Sequence, residues 1–338
     1  MAGITFTFAS GLNDSIFGKN VAPIKKFIEK SGEAFEQESM VNKIFEMGTD
    51  NAFGYTLTTM TAMNGFQPVG ELGAHPTDHM QEGYKKFIEH MTWKDRFSIS
   101  REAVDDAKLM DLKQKPAAFI AAYHRTRERF GAALLGAGIK GQTSMSFMGK
   151  AFDAAAADKQ ALFSTSHPLL IKKTNKSNCY SNALNKNTFA AMETEMQNFV
   201  GDNGEILDVV PDTIIIPNLY SLKQTLFEII GADKEPDTAN NGFNYLFGRW
   251  NVIVWPYLND FITGGTAPSI MMASKCNEEH GGAVWRDRVN LEVKSYIDHD
   301  TDANVWDGYS RFSAGFNDWR AFAVGGVSGG TDLGTDDT

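Results

Sequence analysis

Cysteine is scarce: Cys179 and Cys276 are the only two in 338 residues. Two thiols are too few for a disulfide framework or a complete structural zinc site, and they fit a reducing compartment. Long apolar runs are missing as well. No stretch approaches the roughly 18 residues of a membrane-crossing helix, and the N-terminus lacks the basic region and apolar core of a signal peptide. A soluble protein made in a cytoplasm is therefore expected. Basic charge is not in excess, since 32 Lys and Arg face 42 Asp and Glu, for a formal net charge of -10. A protein whose main task is gripping nucleic acid needs the opposite balance, because neutralising phosphates requires basic surface. What is present is ample apolar material. Hydrophobic residues make up 42% and charged residues 22%, which excludes disorder as the main state and suits two domains or one elaborated domain.

Along the chain, residues 1–46 read as an arm. Ile24, Phe27 and Ile28, then Val41, Ile44 and Phe45, suit short amphipathic helices broken at Ser31 and Gly32. A terminal segment with so much apolar surface needs something to lie on, and another chain is one candidate. Phe53, Tyr55, Leu57 and Thr59 alternate as in a strand, and Trp93–Ser100 reads as a second one. Between them the spacing of Met80, Tyr84, Phe87 and Met91 predicts a short helix, so residues 47–100 form a long hairpin with a decorated tip. A helix is expected over 101–113, and a second, longer one over about 115–135. The second begins at Pro116 and is stopped by Gly136, Gly138 and Gly141.

The second half alternates short helices and strands. Helices are expected over the alanine-rich stretch at 153–163, over 186–200 and after Pro217. Strands are expected at 213–216, 250–258, 269–274, 289–297 and 319–324. The Gly- and Asp-rich tail from Gly325 would be disordered on its own. The fold class is α+β.

Several patterns match catalytic templates and fail their context. Gly136–Gly141 fits G-x-G-x-x-G, but it follows a helix, whereas a dinucleotide site needs it after a strand. Gly326–Gly330 fits G-x-S-x-G, yet no helix former and no His follows Ser328. His75 and His79 are four apart, but Pro76 moves His75 off helical geometry, and two solvated loop histidines are expected. Asp298-His299-Asp300 reads as a strand-end turn. Arg125, Arg127 and Arg129 spread over roughly 200° of a helix, so they form no single phosphate-binding row and suit ion pairs instead. No catalytic, cofactor or metal constellation is expected.

The order of elements, together with three strings, resembles the major capsid protein of tailed double-stranded-DNA bacteriophages, a fold shared with the herpesvirus capsid floor. PDTIIIPNLYSLKQTL (Pro211 to Leu226) resembles that family's strand–Pro–helix element in the A-domain. LFSTSHP (Leu162 to Pro168) is similar to the segment before it in Mu-type head subunits. YSRFSAGFNDWRAFAV (Tyr309 to Val324) resembles the final strand pair.

The resemblance implies an N-terminal arm over 1–46 and an extended E-loop hairpin over 47–100. It implies a P-domain over 101–150 and 283–320, with a spine helix at about 116–135. It also implies an A-domain with a central mixed sheet over 151–282 and 321–338. The implied role is a structural major capsid protein, not an enzyme, assembling into hexamers and pentamers that form an icosahedral head around double-stranded DNA. Partners would be copies of itself, a separate scaffold protein, a portal, a decoration protein, and packaged DNA held by weak non-specific contact, with no membrane. Its place would be the virion capsid, and the host cytoplasm during assembly. Some members cross-link an E-loop Lys to a neighbour's Asn, and Lys85, Lys86 and Lys94 lie in the corresponding region.

Expected inter-subunit contacts are Phe27 in the arm, Phe53, Tyr55, Trp93 and Phe97 on the hairpin, and Arg125 and Arg129 on the spine helix. Exposed aromatics on a protruding hairpin would otherwise cost solubility, although the same rings could serve the chain's own core. The alternatives are an α/β hydrolytic enzyme using His167 or His299, and an encapsulin-like compartment.

Overall fold

Strands β13 (Ala283–Ile297) and β14 (Asn304–Phe316) form a long antiparallel hairpin that organises one sheet. The computed structural model describes residues 5–8, 32, 35, 38–61, 66–71, 73–77, 81–105, 109–231, 243–262 and 267–334. Strand β5 (Met91–Ile99) pairs with β14, while β1 (Thr5–Phe8) and β2 (Glu46–Thr49) both run parallel to β13. Leu291 and Val293 are buried and Lys294 is exposed, as the alternation of the sequence predicts.

Helix α1 (Val41–Ile44) packs the end of the arm onto this body, with Val41, Ile44 and Phe45 fully buried. Its backbone is held too: Asn277 Nδ2 donates to Ile44 O at 2.9 Å.

Two expectations for residues 47–100 change. Strand β3 (Gly54–Met60) pairs with β4 (Glu82–Glu89) and not with β5, which belongs to the large sheet. The helix expected around Tyr84, Phe87 and Met91 is strand β4. Its polarity is inverted relative to an ordinary strand: Lys86 is buried, whereas Phe87 is 57% exposed. The buried ammonium donates to Ala155 O and lies 3.4 Å from Asp153, and burial holds its pKa below the usual lysine value. The strand period is hidden because the inward positions Tyr84, Lys86 and Ile88 include a charged residue.

Helix α2 (Arg101–Asp105) is followed by α3 (Leu109–Ile139), which runs through Pro116 and past Gly136 and Gly138, two of the three glycines expected to stop it. Gly136 and Gly138 lie inside α3 because neighbours approach closely. A Cβ at Gly136 would sit 2.3 Å from Phe261, and one at Gly138 would sit 3.0 Å from Leu162. The helix ends before Gly141, whose φ of +65° only glycine adopts easily.

The second sheet has the order β11 (Asn251–Trp255), β10 (Thr213–Pro217), β12 (Ser269–Met272), β15 (Phe322–Gly325), with β10 parallel to β11 and antiparallel to β12. This is the expected mixed sheet. Every residue of β10, β12 and β15 is buried, which explains their continuous apolar runs. Helix α4 (Lys186–Gln197) starts on a capping box between Asn185 and Thr188 and buries Phe189, Met192 and Met196. Helix α5 (Tyr220–Ile230) buries Leu222, Leu226, Ile229 and Ile230.

The alanine-rich stretch is not helical. After β6 (Ser144–Phe147) and β7 (Lys150–Asp153), Ala154–Ala157 run buried and irregular, with Ala156 N–H on Gln160 O and Ala157 N–H on Asn317 O. Tertiary backbone hydrogen bonds override the helical preference of alanine here. The tail is tied down through Gly334: Thr331 N–H donates to Cys179 O, and Asn182 Nδ2 to Asp332.

Candidate functional site

The titratable cluster around His167 is an internal strut. His167 lies on the two-residue strand β8 (His167–Pro168) and is fully buried. Its ring nitrogens face Asp158 Oδ2 at 2.6 Å and Asn178 Oδ1 at 3.1 Å, and its ring stacks on Trp319 at 4.3 Å. Asn178 donates in turn to the carbonyls of Leu162 and Phe322. Both nitrogens are occupied inside the buried cluster.

His299 sits in the β13–β14 turn, where Asp298 accepts from Asp300 N–H and from the Thr301 hydroxyl, the expected Asx-type turn. Cys179 and Cys276 are buried and free, and burial pushes their pKa up to about 11 and about 12. Ser328 is exposed on the tail and His75 on a loop, while His79 lies outside the described residues. Among the described residues no group of three His, Cys, Asp or Glu side chains could hold a metal ion, and no helix is long and apolar enough to cross a membrane.

The expected contact residues separate into three groups. Trp93 and Phe97 are engaged within the chain. Trp93 stacks on Phe312 at 4.9 Å and meets Phe130 edge-on at 5.4 Å, and Phe97 stacks on Trp306 at 5.9 Å. Tyr55 is half-buried beside His90 at the hairpin root, where the His90 ring meets Ser313 at 3.1 Å and Asp50 at 3.5 Å. Burial raises the Tyr55 pKa to about 12. Phe53 remains 57% exposed, matched by Phe87 on the hairpin's outer face. Phe27 lies outside the described residues.

On α3, Arg125 and Arg129 are exposed, one turn apart on the same side. Arg127 turns inward onto Asp287 with two hydrogen bonds of 2.8 and 3.0 Å, and it lies 4.8 Å over the Trp285 ring. Its importance was hidden in sequence because an arginine between two exposed arginines reads as surface.

The arm is bound to the same helix. Glu128 accepts from the Ser39 hydroxyl at 2.6 Å and from Trp255 Nε1 at 2.9 Å. Phe35 stacks on His124 at 5.1 Å, at the rim of a cleft of about 640 Å³. Burial, with Arg127 nearby, pushes the His124 pKa down to about 4, and among the described residues its Nε2 has no hydrogen-bond partner. The unfolded chain therefore takes up a proton near pH 6.5 that the folded chain refuses until about pH 4. Stability should fall as pH drops through this window, by up to roughly 3 kcal/mol from this group. Urea midpoints measured across the window should show a pH slope that His124→Gln reduces.

A sequence-family model described as phage capsid protein matches residues 83–325. The chain belongs to the phage capsid protein family. The matched span runs from β4 to β15 and takes in the long helix, the second sheet, and strands β5, β13 and β14 of the first, leaving out β1 and β2. No curated protein matches the chain in sequence. Among solved structures, the capsid of Myoviridae phage XM1 is 12% identical with a TM-score of 0.45, over 82% of this chain and 88% of that one. The virus-like particle from Pyrococcus furiosus is 8% identical with a TM-score of 0.49, over 88% and 98%. The bacteriophage JBD30 capsid is 14% identical with a TM-score of 0.49, over 65% and 91%. The role of this phage capsid protein is structural.

Proposed function

We propose that the chain assembles into hexamers and pentamers that close an icosahedral head around double-stranded DNA, without chemistry of its own. The observation that carries this reading is the β3–β4 hairpin. Its inner face is anchored to the body through Lys86, while Phe53, Phe87 and the loop residue Phe66 stay exposed. A single chain leaves this surface wet, and a neighbouring copy would bury it. Phe53, with Arg125 and Arg129 on α3, would make the contacts, and Phe27 would add to them from the arm. Tyr55, Trp93 and Phe97 would stiffen the hairpin root behind them. A separate scaffold, a portal and a decoration protein would complete the virion, with assembly in the host cytoplasm.

Electron microscopy and light scattering on the purified chain, expressed with and without its neighbouring phage genes, test the reading. Closed shells, tubes or capsomer rings are expected from the natural sequence. The F53S/F87S variant should keep its melting temperature and lose assembled particles, because each lost contact costs roughly 1–3 kcal/mol and recurs throughout the shell. A monodisperse monomer or dimer of the natural sequence under every condition would overturn the proposal.

A further inference from the structure

The chain is acidic, with a formal net charge of -10, but one turn reverses that sign locally. Between β8 and β9 (Asn175–Lys176), residues 171–176 are all exposed and include Lys172, Lys173 and Lys176. Lys159 is exposed nearby, next to the Asp158 that pairs with His167 of β8. Two acids beside the turn point inward: Asp158 is buried against His167, and Asp202 against Arg320. Glu205 and Asp208 are exposed on the adjoining turn, and among the described residues neither forms an ion pair with these lysines. The positive charge is left for solvent or a partner.

The turn is also rigidly held. Asp202 accepts from Leu170 N–H through its side chain at 3.1 Å and from Lys172 N–H through its backbone at 3.2 Å. Lys173 N–H closes back on Leu169 O at 3.0 Å. Within this frame Lys173 has a φ of 53°, and Lys159 one of 66°. Each is in the left-handed region, which costs a side-chain-bearing residue about 1–2 kcal/mol and which glycine would occupy without strain. Both side chains are thus presented outward from a backbone fixed in a strained conformation.

We infer that this lysine turn is a contact surface for the phosphate backbone of duplex DNA. The inference rests on the reading of the chain as a shell around DNA. Ammonium groups are point charges on flexible stems, without the planar fork that arginine offers to carboxylates in fixed geometry. They suit a sequence-independent, exchanging contact. Neutralising phosphates releases counterions, so the contact is weak in salt and strengthens when many subunits face one duplex.

Fluorescence anisotropy with a short labelled duplex of mixed sequence tests the assignment, using the full chain and its K172Q/K173Q/K176Q variant over a salt series. The variant should bind at least about tenfold more weakly at low salt, and its log–log salt slope should be smaller by about 3. Equal affinity and slope for the two proteins, or no binding by the natural chain, would overturn the inference. A synthetic peptide of residues 331–338 supplies the second arm. If it binds in a lysine-dependent way while DNA is ignored, the turn belongs to an acidic segment of another copy and the DNA assignment fails. Electron microscopy of the same samples separates the two ideas. Shells from both proteins with unchanged DNA binding remove the lysine turn alone, whereas absence of particles from the natural chain removes the shell reading.

Discussion

Replacing Arg320 with methionine is expected to destabilise the subunit by about 3–5 kcal/mol or more, enough to remove most of the folded protein. Arg320 is buried between two carboxylates, donating to Asp318 at 3.1 Å and to Asp202 at 3.1 Å, and its Nε donates to Val200 O at 3.0 Å. It lies 5.1 Å over the ring of Trp319, which itself stacks on His167. One guanidinium therefore ties the segment entering β15 to the turn after α4. Methionine could fill the volume but would leave two buried carboxylates without a cation. Arg320→Lys should recover only part of the loss, since one ammonium cannot serve Asp318, Asp202 and Val200 in the same planar geometry. Soluble yield and urea midpoints for the three proteins would decide the matter. A change below about 1 kcal/mol for methionine would mean that water replaces the guanidinium and the cluster is not a structural strut.

The second large effect is expected at Arg127. Its side chain is 12% exposed and that of its partner Asp287 is 4% exposed, and Trp285 Nε1 also donates to Asp287 at 3.1 Å. Arg127→Met should cost about 3–5 kcal/mol, because Asp287 would keep its charge inside the sheet with only an indole N–H beside it. The double variant R127M/D287N should recover at least half of that cost. The amide keeps an oxygen for Trp285 and has no charge to compensate. Urea unfolding of the dispersed subunits measures both values. If the double variant is no better than the single one, the loss comes from the missing cation–π packing of Arg127 on Trp285 and Phe312 rather than from the stranded carboxylate.

Both struts show where local sequence carries information and where it does not. Strands β10 and β12 were legible because they are buried on both faces, and burial on both faces leaves a continuous apolar string. Helices α4 and α5 were legible because one buried stripe at helical spacing leaves a period. The order of these elements with three strings was enough to suggest the family.

What tertiary structure alone decided lies wherever a distant segment competes with local preference. Strand β4 has a lysine facing inward because Ala155 and Asp153, far along the chain, supply its partners. Ala154–Ala157 are irregular because their amides bond to Gln160 and Asn317. Gly136 and Gly138 extend a helix that they were expected to end, because Phe261 and Leu162 press against it. Trp93 looks identical in sequence to a fully exposed aromatic, and only the packing of Phe130, Phe152 and Phe312 around it sets its ring half-buried against the core. Composition and periodicity report the average environment along one element. The pairing of a buried charge, or the face of a single ring, is set by residues dozens to hundreds of positions away.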